Sequence, residues 1–299
     1  MSYPELAFGS PRKLPRARDL RGRVVVLDIA FASEASGGGF SKITKPFIDG
    51  LGERLACWVD HHDSTDHEAY AGDTRFVLST KAEHGACPEM ITPELVAAVG
   101  TVDTIVCHTD FDGLVSAAKW ICGGAEPYPG ADADARAIDT RLGEPSAIAT
   151  RFDRAIRARP RDLGLLGLMV RHLAGRLADR SLWASIDDAA RALTAIEDET
   201  RRVAVRYVRL PGGVAFVDCA GRVGRIDKTM LLLLGQEREP VSVVADDDTV
   251  TVAAAFDSGR DFVKLLGLSG GMPTRVSIPR KRLGELLAAL GVPSDALPG

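Results

Sequence analysis

The chain has 299 residues, 45% of them hydrophobic, which suits about two domains with cores of their own and needs no disulfide or metal staple for folding. Its 41 acidic and 37 basic residues leave a formal charge of −4, which argues against a broad footprint on duplex DNA. No run of apolar residues is long enough to span a membrane.

In chain order, residues 1–22 read as a polar, Pro- and Arg-rich arm with no apolar signal core, so a cytoplasmic location is expected. Arg23–Ala30 (RVVVLDIA) is a continuous apolar run that reads as a buried parallel strand carrying Asp28 at its end. A Gly-rich loop, Ser33–Phe40, follows. Its GGGFSK segment (residues 37–42) lacks the spacing of a phosphate-binding P-loop and reads as a lip over a site. Ser41–Arg54 reads as a helix, Leu55–Val59 as a strand running into Asp60, and Phe76–Ser79 as a short strand. Pro88–Val99 reads as a helix, Thr104–Cys107 as another buried strand, and Leu114–Cys122 as a helix after the DFDG turn. Alternation of this kind implies right-handed βαβ units and a mostly parallel sheet with flanking helices.

Residues 123–145, rich in Gly, Pro, Asp and Ala, read as loop, and Ala147–Arg202 as helical. The period then changes. Val203–Leu210, Val214–Cys219, Val241–Ala245, Thr249–Phe256 and Arg275–Ile278 read as strands, and Ile226–Leu234, Asp261–Leu266 and Arg282–Leu290 as helices. The fold class is therefore α/β, with an arm (1–22), a catalytic domain (23–185), a helical connector (186–202) and a smaller mixed α/β C-terminal domain (203–299).

Five of the six histidines (His61, His62, His67, His84 and His108) lie between residues 61 and 108, and aspartates crowd the same stretch. Three apolar runs end in ligand-type residues: LDIA, CWVDHHDS and IVCHTDFDG. Ligands of an open parallel sheet bind beyond the carboxyl ends of its strands. Asp28, Asp60–His61–His62 and His108–Asp110–Asp112 should therefore converge at one edge. Carboxylates so crowded stay ionised only beside cations. Mixed carboxylate and imidazole donors suit Mn²⁺, Mg²⁺ or Zn²⁺, and a two-metal site with ions roughly 3.5–4 Å apart needs about as many donors as these runs supply. A lone strand-end aspartate is more often a cap, and a lone His–His pair more often plain core or surface; the joint pattern on three strands carries the inference. His67 and His84 read as loop residues. The three tryptophans read as core, Arg151–Arg161 as a solvated face, and the five cysteines, without a CxxC spacing, as reduced thiols.

Val59–Asp63 (VDHHD) resembles the signature of the DHH phosphoesterase superfamily, and His108–Gly113 (HTDFDG) resembles its D-x-D metal motif. Val24–Asp28 is similar to its lone-aspartate strand, and Ala135–Leu142 to the motif that supplies a further aspartate, Asp139. The order differs from the usual one, since Asp28 and DHH precede HTDFDG, as a circular permutation would give. The resemblance implies two divalent cations, Mn²⁺ first with Mg²⁺ and Co²⁺ as alternatives. His108, Asp110 and Asp28 would hold one, and Asp112, Asp28, His61 and Asp139 the other. His62 would face the substrate and Asp60 would orient its neighbouring histidine. In the C-terminal domain Ser258, Arg260, Gly270 and Gly271 are placed like the family's substrate-gripping elements, but Met272 stands where a histidine is usual.

The implied activity is metal-assisted hydrolysis of phosphodiester bonds in small nucleotides, cyclic dinucleotides or short single-stranded oligonucleotides, with a homodimer as an open option. Pyrophosphate cleavage is an alternative. DFDG also resembles the haloacid-dehalogenase phosphatase motif, in which Asp110 would be a nucleophile. That reading leaves Asp60, His61 and His62 idle and meets Leu114 where Thr or Val is expected. A nucleotide-binding sensor or scaffold without turnover is the non-enzymatic alternative.

Overall fold

A computed structural model describes residues 3–33, 38–293 and 296. Residues 34–37, part of the Gly-rich segment, lie outside the described residues. The chain divides into two compact units, with the division between Leu193 and Thr194.

The first unit is built on a five-stranded, wholly parallel sheet. Its strands are β1 (Glu5–Phe8), β2 (Val24–Leu27), β3 (Leu55–Asp60), β4 (Phe76–Leu78) and β5 (Thr104–Cys107), in the spatial order β1-β5-β2-β3-β4. The N-terminal segment is thus not only an arm. Glu5–Phe8 pairs with Thr104–Cys107 and covers what would otherwise be an open sheet edge. The sheet is buried on both faces, which is why its central strands read as unbroken apolar runs. Val25, Leu27, Ile105 and Cys107 pack into one core, whereas Val24, Val26 and Val106 pack into another on the opposite face.

Helices α1 (Thr44–Leu51), α2 (Pro93–Val99), α3 (Phe111–Ile121), α4 (Ala131–Thr140), α5 (Ala147–Ala158) and α6 (Leu163–Ala174) accompany this sheet. Phe47, Ile48 and Leu51 of α1 join the second core, and α3, α5 and α6 fill the first. Two readings from sequence change. Helix α3 begins three residues before Leu114, because Asp110 caps it, its carboxylate accepting from the Gly113 amide at 3.4 Å. The stretch 123–145 holds α4, which opens after Gly130 (φ 86°). Four alanines favour the helix, Asp132 and Asp134 suit its first turn, and Ala131, Ala135 and Ile138 bury one face.

Helix α7 (Trp183–Ala204) contains the 186–202 stretch and the division between units. It runs into the segment expected as a strand, so β6 starts only at Val208. The second unit has a mixed sheet of β6 (Val208–Leu210), β7 (Val214–Asp218), β8 (Val241–Ala245), β9 (Thr249–Ala254) and β10 (Arg275–Pro279), in the order β10-β9-β8-β7-β6. Only β7 and β8 run parallel. Helices α8 (Lys228–Gln236), α9 (Phe262–Leu265) and α10 (Leu283–Ala289) complete it. All five cysteines are free thiols, four of them buried. Among the described residues no helix is long and apolar enough to cross a membrane.

Candidate metal centre

The central strands β5, β2 and β3 are neighbours and parallel, so their carboxyl ends lie side by side. Asp28 follows β2, Asp60 closes β3 with His61 and His62 behind it, and His108 follows β5. Asp28 is the middle of the three. Its backbone is left-handed (φ 58°), a conformation costly for most side chains and tolerated by Asp and Asn. The Asp28 amide still donates to Val59 O at 2.9 Å, so strand pairing is kept while the side chain leaves the pleat.

Three groups of donors gather here. Possible ligand atoms of Asp28, His108 and Asp110 lie within 4.8 Å of one another, as do those of His61, Asp112 and Asp139 and those of Asp28, His61 and His62. The six residues expected as ligands are therefore brought together at one sheet edge, with Asp28 against both histidines: His61 Nε2 is 3.2 Å from Asp28 Oδ1 and His108 Nδ1 is 3.8 Å from Asp28 Oδ2. His61 Nε2 also lies 3.4 Å from Asp112 Oδ2.

The donor set fits a cation. Asp28, His61 and Asp112 are buried, yet among the described residues both Asp28 oxygens and Asp112 Oδ2 lack a hydrogen-bond partner. A buried carboxylate left so is costly unless a cation completes it. His108 Nδ1 sits 2.6 Å from Asp110 Oδ2 but forms no aligned hydrogen bond with it, an arrangement suited to two donors facing one ion. His61 is oriented by its other nitrogen: Nδ1 donates to His84 O at 2.8 Å, which turns Nε2 toward the carboxylates as the atom available to a cation. His84, read as a bare loop residue, thus contributes its carbonyl.

Position explains the rest of the set. Asp110 and Asp112 stand at the N-terminus of α3, where the helix dipole favours anions. Gly113 is required there, since a Cβ would come within 2.8 Å of His108 O and 2.9 Å of His108 Cβ. Asp139 stands in the last turn of α4, where a negative charge is disfavoured unless a cation faces it. That cation is Lys81, which sequence reasoning missed. Lys81 is 2% exposed, and its Nζ bonds His61 Nε2 at 2.9 Å and the Asp139 carboxylate. It follows β4, a fourth parallel strand whose carboxyl end lies beside that of β3. Burial would pull Lys81 down, but Asp139, Asp112 and Asp28 outweigh it and hold it above its ordinary value.

Asp60 is fully buried and belongs to none of the three donor groups; its Oδ1 accepts from His62 Nδ1 at 2.8 Å. Burial and the Lys81 charge hold His62 below its ordinary value, although Asp60 pulls the other way. In the second unit, Ser258 and Arg260 lie in an exposed loop after β9, with the Arg260 amide 3.4 Å from Ser258 Oγ. Gly270 and Gly271 form a two-residue extended segment before β10, with Gly271 at φ 129°. The bonds Ala254 N to Thr274 O (3.0 Å) and Phe262 N to Pro273 O (2.7 Å) set both loops at one end of that sheet. Of the tryptophans, Trp58 and Trp120 are core, and Trp183 lies under the Arg151 guanidinium at 3.6 Å. His67 packs edge-on against Phe31.

Burial, with the Asp112 and Asp110 carboxylates, pushes Asp28 well above the usual carboxylate range. Desolvation pulls His108 down, but Asp110 and Asp28 outweigh it and push it up to about 10. At pH 7 the ion-free centre therefore holds protons that an entering cation must displace. Mn²⁺ binding should release protons and tighten as pH rises from 6 toward 9, by about tenfold per pH unit for each proton displaced. Calorimetric titration in two buffers of different ionisation enthalpy measures the release; pH-independent affinity would contradict the assignment.

No protein-family model matches the chain, and no curated protein resembles it closely enough in sequence to count as a match. Among solved structures the chain is similar to a pGpG-specific phosphodiesterase, PggH, from Vibrio cholerae (TM-score 0.43, 10% identity, covering 90% of this chain and 97% of that one). It is also similar to the exonuclease RecJ bound to manganese (TM-score 0.42, 12% identity, covering 89% of this chain and 74% of that one).

Proposed function

We propose that the chain is a metal-dependent phosphoesterase of the DHH type that hydrolyses phosphodiester bonds in small nucleotides, dinucleotides or short single-stranded ends. The observation that supports this best is the convergence of Asp28, His61, His108, Asp110, Asp112 and Asp139 at one sheet edge with buried carboxylate oxygens left unsatisfied. Asp28, His108 and Asp110 would hold one divalent cation, and His61, Asp112 and Asp139 mark a second position. A bound divalent ion supplies Lewis acidity and a water of lowered pKa.

The remaining steps belong to side chains. His62 presents Nε2 with Nδ1 bound to the Asp60 carboxylate. A proton taken up at Nε2 is stabilised by that carboxylate and can be passed to a leaving oxygen. The His84 carbonyl engages His61 Nδ1 and leaves Nε2 as the atom facing the carboxylates. Arg260, exposed on its loop in the second unit, carries a guanidinium, a group that pairs with phosphate through two parallel N–H donors. The −4 formal charge suits small substrates better than long duplexes.

The test is hydrolysis by purified protein of an aryl phosphodiester, a panel of dinucleotides, and 5′- and 3′-labelled short oligonucleotides, with Mn²⁺, Mg²⁺ and Co²⁺ in turn. Turnover is expected with at least one ion. His61→Ala is expected to lower kcat/KM by about a thousandfold, the loss of several kcal/mol of transition-state stabilisation. Tight metal binding with no hydrolysis of any substrate would favour the nucleotide-sensor alternative.

A further inference from the structure

The second position is not an open set of ligands. Lys81 Nζ stands against His61 Nε2 at 2.9 Å and against the Asp139 carboxylate, two of the three donors that define that position. Its ammonium lies where a cation would gain most, among Asp28, Asp112 and Asp139, and 98% of the residue's surface is withdrawn from solvent. The first group has no such occupant. Asp28, His108 and Asp110 face one another with unaligned or unsatisfied donor atoms. The two halves of the centre thus differ: among the described residues no lysine or arginine is paired with the first group, and the second carries a lysine ammonium on the chain.

Local structure holds Lys81 there. The Ser79 amide donates to Asp60 O at 2.9 Å, extending β4 alongside β3. The chain then turns, with the His84 amide on Thr80 O at 3.0 Å and Ser79 Oγ donating to Glu83 at 2.6 Å. The same turn presents His84 O to His61 Nδ1. One loop therefore orients His61 and delivers the ammonium to the nitrogen left facing the carboxylates. An ammonium and a divalent ion within contact distance of the same imidazole and carboxylate repel each other strongly where His61, Lys81 and Asp112 are buried.

We propose that Lys81 is the resident cation of the second position, so that the protein takes one divalent ion, at Asp28, His108 and Asp110, and admits a second only by displacing Lys81. The proposal rests on the metal-centre reading above and narrows it: the leaving or bridging side of a bound phosphate would meet an ammonium there, not a second metal.

The experiment counts ions and does not depend on turnover. Wild-type protein and the variants Lys81→Met and Lys81→Arg are stripped of metal and titrated with Mn²⁺ alone. Stoichiometry is read by calorimetry and elemental analysis, and spin coupling by electron paramagnetic resonance. The wild type and Lys81→Arg should bind one equivalent tightly with the six-line signal of an isolated Mn²⁺. Lys81→Met should bind a second equivalent at least about tenfold more tightly than the wild type does, with the signal of a coupled pair. Two tight, coupled equivalents in the wild type overturn the proposal even if Lys81→Met fails to fold. One tight equivalent in wild type and in a folded Lys81→Met also overturns it, because the ammonium is then not what excludes the second ion. No tight equivalent in the wild type overturns the metal-centre reading itself, a different outcome from either.

Discussion

Asp28→Asn should make the metal-free protein more stable and abolish the proposed hydrolysis. Asp28 is 1% exposed and neither of its oxygens meets a hydrogen-bond donor among the described residues, so ionising it in the metal-free fold is costly. Because burial and the Asp112 and Asp110 carboxylates raise its pKa, the sign is fixed. The stability Asp28 contributes is complete below the unfolded carboxyl value and is lost as pH rises toward the folded one. Neutral pH lies above the unfolded carboxyl value, so the penalty is felt there, and asparagine, which tolerates the φ of 58°, removes it without disturbing the backbone. A gain of about 1–3 kcal/mol is expected in the apo protein, read as a Tm higher by several degrees. Mn²⁺ affinity and kcat/KM should fall together, the latter by about 10³ or more, since a ligand common to both halves of the centre is weakened. A variant that loses apo stability while keeping its metal and its activity would falsify the role given to Asp28.

How much of this centre is legible in the sequence depends on whether chain direction or local propensity places a residue. Asp28, Asp60, His61, His62 and His108 sit at the ends of apolar runs, and the rule that parallel strands present their carboxyl ends to a ligand locates them without coordinates. Both faces of the sheet are buried, so these runs are unbroken and easy to see. Asp110 and Asp112 follow because DFDG doubles as a helix start, although the cap is Asp110 and not the glycine. Asp139 is harder. It was suggested by motif resemblance alone, on a stretch read as loop, because ADADARAIDT balances alanine's helix preference against aspartates that also favour turns. Lys81 was missed for a different reason. A buried lysine is rare, so a lysine after a three-residue strand reads as solvated surface. Only the packing of β4 beside β3 and of α4 over this edge turns it inward. In the second unit, Ser258, Arg260, Gly270 and Gly271 lie in loops at one end of the sheet.

Asp60→Asn separates orientation from metal binding. The Asp60 carboxylate is buried, accepts from His62 Nδ1 at 2.8 Å, and belongs to none of the three donor groups at the centre. Its effect on His62 is electrostatic as well as geometric: it favours the imidazolium against burial and the nearby Lys81 charge. Removing that charge must therefore lower the His62 pKa further, and any limb of the pH profile that reports His62 should move to lower pH. Asparagine can still accept from Nδ1–H, so the ring need not leave its place, but a proton at Nε2 loses its counter-charge. The expected result is a fall in kcat of about 10–100-fold with KM and Mn²⁺ stoichiometry nearly unchanged. Loss of bound metal in Asp60→Asn would instead make Asp60 a ligand. An unchanged pH profile at lowered kcat would mean that His62 does not carry the proton, and that the Asp60–His62 pair only shapes the wall of the site.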